Sequence, residues 1–257
     1  MKLSVITINL NNDVGLKKTI DSVVSQSFKE FEYIIIDGSS TDESVNIIKQ
    51  NEDNINYWLS ESDSGIYNAM NKGIRQAKGE YCLFLNSGDY LIDETVLHDF
   101  VYSKYVEDII SGNVLLLKSN EKELIQSVET ENISFEVFYK SYIPHPSSFI
   151  RRELFFVYGF YNENFKIVSD WEFFFKVLII HQATYRHFER IVAVYDFSGI
   201  SSLEENQLKV REERETVFMK HMPLIYESYV KLETELLLLK KECKQYLKIK
   251  NKLSKLF

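Results

Sequence analysis

Phe31-Glu32-Tyr33-Ile34-Ile35-Ile36-Asp37-Gly38-Ser39-Ser40-Thr41-Asp42 is the stretch that decides the fold. Its apolar run is continuous rather than alternating, so both faces of the strand are buried, as in a parallel sheet covered by helices on each side. The run stops at Asp37, and a turn-forming cluster follows. Ser40-Thr41-Asp42-Glu43 has the form of a capping box and opens a helix carrying Val45, Ile47 and Ile48.

Outward from there the same alternation repeats. Leu3 to Ile8 reads as a first strand, followed by Leu16, Ile20, Val23 and Val24 on one helical face. Ile55 to Leu59 reads as a third strand. A helix with Ala69, Met70, Gly73, Ile74 and Ala77 comes next, and then a strand from Glu80 to Leu85 ending at Asn86-Ser87-Gly88-Asp89. Strands alternating with helices specify an α/β fold with a mostly parallel central sheet flanked by helices. In open sheets of this kind ligands bind beyond the carboxyl ends of the strands. Three polar clusters fall there: Asn9 to Asn12, Asp37 to Thr41, and Asn86 to Asp89.

Composition narrows the function. With 257 residues and 45% hydrophobic content the chain can bury a sizeable core. The net charge of −8 argues against a broad nucleic-acid surface, so no nucleic-acid partner is expected. Two cysteines, Cys82 and Cys243, make neither a disulfide framework nor a zinc-ligand spacing. The start is too short and too β-branched for a signal peptide, and no apolar run approaches the roughly 20 residues of a bilayer span. A cytoplasmic protein is expected, at most peripheral at the inner face of the membrane.

From about Leu203 charged helix formers take over, broken once at Pro223. Tyr229, Leu232, Leu236, Leu239, Cys243, Tyr246, Lys250 and Leu253 are spaced three and four apart, an a/d seam that wants a partner. Lys240 to Phe257 holds seven lysines against the single Glu242, which also suits an anionic membrane surface. A homo-oligomer formed through this C-terminal helix is the first expectation and membrane contact the second.

Ser4-Val5-Ile6-Thr7, Ile36-Asp37-Gly38-Ser39-Ser40-Thr41-Asp42, Ser60 to Gly73, and Gly79 to Asp89, in this order and spacing, resemble the family 2 glycosyltransferases. Those are inverting enzymes of the glycosyltransferase A-type fold. The resemblance implies a catalytic domain over residues 1–202, with a nucleotide-binding half over 1–90 and an acceptor half over 91–202, and leaves 203–257 as a helical tail. It implies a nucleotide-diphosphate sugar as donor, a UDP-sugar first, a glycan or lipid-linked acceptor, and a setting in bacterial surface-polysaccharide assembly. Asp37 matches the first acid of the family's Asp-Asp-Gly-Ser motif, with Gly38 in place of the second. Nucleotide contacts are expected from Thr7, Asn9, Asn11, Asp37, Ser39, Asp63 and Lys72, with Lys72 or Arg75 standing in for an arginine that many relatives carry immediately before the Asn-x-Gly, where Met70 stands. Asp89 alone carries charge where the metal motif has Asp-x-Asp. Asp170 falls at the catalytic-base position, with Ser169 where a Glu is usual, and Phe197 to Ser201 resembles a Gly-Ile-Ser loop near the diphosphate.

The chemistry asks for the same groups. A departing nucleoside diphosphate is eased by a divalent cation, Mn2+ or Mg2+, and hard oxygen ligands such as Asp89 and Asn86 suit it. Inversion by one in-line displacement needs a carboxylate to deprotonate the acceptor, which falls to Asp170. His145 in its Pro-His-Pro turn and Trp171 are candidates to face the acceptor. Each has a structural alternative: Asp37 as a turn former, Asp170 as a helix cap, His145 as a hydrogen-bonded loop histidine, Trp171 as core. Nucleotidyl transfer is a rival reaction, but Asn9-Leu10-Asn11-Asn12 lacks the Gly-rich basic loop it needs. A sugar-nucleotide-binding scaffold is the non-enzyme rival.

Overall fold

The computed structural model describes residues 1–118, 121–129, 132–196 and 203–253. The β-branched opening run forms β1 (Leu3–Asn9), buried along its whole length. The chain turns at Asn12, whose Oδ1 accepts the Gly15 N–H at 3.1 Å and caps α1 (Asp13–Val24). Leu16, Ile20 and Val23 recur at helical spacing and are fully buried in the core beside Val5, Tyr33 and Leu83.

The alternation continues through β2 (Glu32–Asp37), α2 (Ser44–Gln50), β3 (Tyr57–Ser60), α3 (Ile66–Gln76) and β4 (Tyr81–Phe84). These four strands pair in parallel, β3-β2-β1-β4, with Asn9 opposite Asp37 and Asp37 opposite Ser60. The register gathers the polar ends of three strands at one edge of the sheet. The capping box does not form: α2 begins at Ser44, whose N–H is taken by Asp42 Oδ1 at 3.0 Å, and Ser40 bonds to Asp37 instead. The aspartate competes for that hydroxyl and wins.

Beyond β4 the elements are β5 (Tyr90–Leu91), α4 (Val96–Tyr102), β6 (Ile109–Lys118), β7 (Glu121–Ile125), α5 (Phe135–Lys140), β8 (Ser148–Arg151), α6 (Glu153–Tyr158), α7 (Ser169–Phe175) and β9 (Tyr185–Asp196). The sheet runs β3-β2-β1-β4-β8-β6-β9-β5, with β7 paired to β6. Here directions mix: β8 is antiparallel to β4 and β6, whereas β9 is parallel to β6. The α/β class with helices around a central sheet is as expected; the first four strands are all parallel, and the second half mixes antiparallel pairs with the parallel β6–β9 pair.

The chain divides into two compact units, Met1–Gln207 and Leu208–Phe257. The second is built from α8 (Gln207–His221) and α9 (Pro223–Leu253), with Pro223 at a first helical position where no N–H is needed. Among the described residues, no helix is long and apolar enough to cross a membrane.

Candidate active site

At the end of β2 the Asp37 carboxylate is fully buried and accepts four hydrogen bonds. Ser40 Oγ donates at 2.5 Å, Ser60 Oγ at 2.6 Å, Asn9 Nδ2 at 2.8 Å and the Ser40 N–H at 2.9 Å. Burial alone would push the carboxyl up, but these bonds outweigh it and hold it below the usual carboxylate range. A carboxylate offers about four acceptor positions, so Asp37 is saturated and organises its neighbours. The neighbours are the expected nucleotide ligands: Asn11, at φ 48°, takes the Thr41 N–H on its Oδ1 at 2.8 Å, and Ser39 sits at φ 68°. Asn9 Oδ1 is buried with no hydrogen-bond partner.

Gly38 stands where the family motif carries a second acid. A Cβ there would lie 2.7 Å from Asp63 Oδ2, so the Asp63 carboxylate already occupies the space that a side chain would enter. Its other oxygen accepts the Gly65 N–H at 2.9 Å. Thr7 is buried and shares a 3.1 Å hydrogen bond with Tyr33, which places it inside the sheet. Lys72 pairs with Glu61 at 2.9 Å and donates to the Ser62 carbonyl at 3.2 Å. Such partly exposed pairs are worth about 0–1 kcal/mol, so the ammonium is free to turn to a stronger anion.

The acid loop after β4 is fastened to α1. Thr19 Oγ1 donates to the Asp89 carbonyl at 2.7 Å and accepts the Gly88 N–H at 3.0 Å, while Asn12 Nδ2 donates to the Ser87 carbonyl at 2.9 Å. Asp89 is 3% exposed. Burial pushes its carboxyl up to about 7; the Asp196 charge adds to the effect, and the Asp196 N–H and the Lys18 ammonium oppose it. Asp196 ends β9 and reaches the same loop: its N–H donates to Asp89 Oδ1 at 3.0 Å, and a Cβ on Gly88 (φ 108°) would stand 3.1 Å from its Oδ2. A glycine is needed there for both reasons.

Would these residues suit a divalent cation? No group of three or more His, Cys, Asp or Glu side chains able to hold a metal exists among the described residues. The donors present are the Asp89 and Asp196 carboxylates and Asn86 Oδ1, a buried oxygen without a hydrogen-bond partner. That set fits a hard cation which draws its remaining ligands from substrate phosphates and water, and does not fit a closed structural site.

Asp170 lies in the first turn of α7, whose cap residue is Val168, so Asp170 is not the cap. The Tyr67 hydroxyl donates to its Oδ1 at 2.9 Å and shares its proton with the Ile167 carbonyl. Burial, and then the Asp170 charge, push the Tyr67 phenol well above its ordinary value, which keeps it a donor. Ser169 is buried and accepts the Asn162 N–H at 2.6 Å, pinning the preceding loop under the helix. His145 is buried behind this group, 2.8 Å from the Tyr161 hydroxyl and stacked on Phe84 of β4 at 5.0 Å. Burial pushes the imidazole below its ordinary value, only partly offset by the Asp170 charge, so it is neutral. Trp171 is 5% exposed and packs between Phe138 and Phe175. It belongs to the aromatic core. Phe197 to Ser201 lie outside the described residues.

The family model described as "Glycosyl transferase family 2" matches residues 4–155, more than half of the chain. The chain belongs to that family. This glycosyltransferase is 29% identical over 228 residues to a PGL/p-HBAD biosynthesis glycosyltransferase of Mycobacterium bovis, covering 86% of this chain and 84% of that one. In fold it is similar to S. aureus TarS 1-349 in complex with UDP-GlcNAc, with TM-score 0.66 and 21% identity over 76% of this chain. It spans 58% of that chain's length. A mannosyltransferase of Pyrobaculum calidifontis, in complex with GDP-Man and Mn2+, is similar with TM-score 0.57 and 15% identity, covering 76% of this chain and 56% of that one.

Sequence reasoning missed several groups around the candidate site. Asp196 follows Ile191-Val192-Ala193-Val194-Tyr195, and an acid just past a β-branched run was the available signal. Thr19 gave none, because a single hydroxyl on a helix looks like any surface residue until its partner is known, and Ser60, though it opens the family-like stretch, was not singled out.

Proposed function

We propose that this glycosyltransferase moves a sugar from a nucleotide-diphosphate donor onto a hydroxyl of a glycan or lipid-linked acceptor, inverting the anomeric carbon, with Asp170 as the general base. The observation that carries the reading is the asymmetry of Asp170: one oxygen is held by a buried phenol, and Oδ2 has no donor among the described residues. A half-buried carboxylate so oriented is suited to take a proton from an incoming alcohol, an effect worth about 10²–10⁴ in rate. Protonation of Oδ2 leaves Oδ1 to keep the Tyr67 bond, so the base need not turn during the reaction.

The donor is read as lying along the ends of β1, β2 and β4. Asn9 Oδ1 and Asn86 Oδ1, two buried oxygens without partners at the ends of neighbouring strands, support that placement. Asn11, Ser39 and Asp63 surround the nucleotide, Asp37 holds them in place, and Lys72 swings from Glu61 to phosphate. A UDP-sugar is the first donor to test, TarS having been solved with UDP-GlcNAc. Asp89, with Asn86 and Asp196, would hold Mn2+ or Mg2+. Bound there, the cation supplies Lewis-acid neutralisation of the leaving diphosphate.

A panel of nucleotide sugars, with and without Mn2+ or Mg2+, tests the proposal by following nucleoside diphosphate release. Release by the wild type, lost in Asp170→Asn and Asp89→Ala, is the expected result. Activity indifferent to both substitutions would sink the assignment.

A further inference from the structure

In α9 the residues from Ile225 to Tyr246 that fall alternately four and three apart are apolar or Cys243, and they lie along one side of the helix. Leu232, Leu236, Leu239 and Tyr246 on that line are 62%, 51%, 58% and 66% exposed. A spacing of 3.5 rather than 3.6 residues keeps such a line facing a supercoiled partner helix, here for about 33 Å at 1.5 Å per residue. A flat membrane surface imposes no such repeat. The charges beside the line identify the partner. With Leu236 and Cys243 at a positions and Leu232, Leu239 and Tyr246 at d positions, Glu235 falls at g and Lys240 at the following e.

We propose that this face is covered by the same face of a second copy of the chain, the two helices running parallel and in register as a two-stranded coiled coil. In that arrangement Glu235 of each copy meets Lys240 of the other, twice per dimer. The antiparallel arrangement that keeps the same layers sets Glu235 against Glu242 and Lys240 against Glu233, each twice, so its like-charge pairs cancel its opposite-charge pairs and only the parallel register gains from charge. Parallel register also brings Cys243 opposite its own mate at an a position, whereas the antiparallel arrangement sets it against Leu232.

The full chain is tested by light scattering behind size exclusion, where a mass about twice the 30.3 kDa of one chain is expected. Leu236→Glu with Leu239→Glu is expected to return the single-chain mass while nucleotide-sugar turnover shows that the catalytic unit is folded. Diamide, which takes two electrons and two protons from a pair of thiols and is itself reduced to the hydrazine, is expected to link the dimer through Cys243 and not in Cys243→Ser; Cys82 is buried and out of reach. Glu235→Lys is expected to weaken the dimer about tenfold, and Glu235→Lys with Lys240→Glu to restore it. A single-chain mass at tens of micromolar overturns the proposal, as does a three-chain mass. A dimer that diamide fails to link, or that Glu235→Lys strengthens, overturns the parallel register. A single chain that sediments with phosphatidylglycerol vesicles, and not with neutral ones, gives the face to lipid and overturns it as well.

Discussion

The Tyr67 hydroxyl donates to Asp170 Oδ1 at 2.9 Å, joining α3 to a carboxylate 103 positions further along the chain. A hydrogen bond to a charged group is worth about 1.5–3 kcal/mol, and here it also fixes where the carboxylate points. Tyr67→Phe is expected to lower kcat about tenfold or more while leaving donor affinity unchanged, read by nucleotide release and by calorimetry. In an Asp170→Asn background the same change should cost little, since the two act as one unit. Equal losses in both backgrounds would make the phenol a packing residue.

Asp196 is passed over by a reading of the sequence alone and stands beside Asp89 in the structure. Asp196→Asn keeps the backbone N–H that Asp89 accepts and removes only the charge. With donor nucleotide present, Mn2+ affinity measured by electron paramagnetic resonance should fall about 10–100-fold for Asp196→Asn and further for Asp89→Asn. Unchanged binding in Asp196→Asn would confine the cation to Asp89.

His145 is buried neutral against Tyr161, Phe84 and Phe174, with Asp170 the charge that acts on it. Its folded value lies below the ordinary 6.5, so under mildly acidic conditions the unfolded chain takes up a proton that the folded chain refuses. Stability is therefore fully present above about pH 6.5 and is lost as pH falls from there through the folded value. Because Asp89, raised to about 7, acts with the opposite sign over the same window, the test is the difference between the two proteins: in urea unfolding between pH 7 and pH 5, His145→Gln should lose less stability on acidification than the wild type. Parallel slopes for the two proteins would rule His145 out as the cause.

Thr19→Val removes a hydroxyl that both accepts from Gly88 and donates to the Asp89 carbonyl, at almost constant volume. Leaving a buried N–H unpaired costs about 1–3 kcal/mol. A lower melting temperature and weaker donor binding are expected together, because the loop that loses its anchor carries Asn86 and Asp89. A fall in stability with donor binding intact would separate the two.

The parallel half of the fold was readable from sequence because Ile34-Ile35-Ile36 and its counterparts bury both faces, and a strand of that kind has few alternatives. Strand ends followed, and with them Asn9, Asp37 and Asp89. The second half was not readable: β8 and β6 insert beside β4 through pairings that join residues far apart in the chain, such as Ile109 with Ile150. No local periodicity encodes such a choice. Ser40 shows a subtler failure, since the serine that matches a helix cap locally was claimed by a buried carboxylate three residues away. Trp171 was placed as a possible acceptor platform by its neighbourhood in sequence, and ring packing with Phe138 and Phe175 drew it inward.

The grip of α1 on the acid loop has one more consequence. With Asn12 and Thr19 clamping the turn from below and the end of β9 closing it from the side, little ordering entropy is left to spend when a donor arrives. If the donor binds there as proposed, selectivity among sugars would come from a preformed mould that rejects poor fits, and evolution toward a new donor would have to loosen that clamp before it could reshape the pocket.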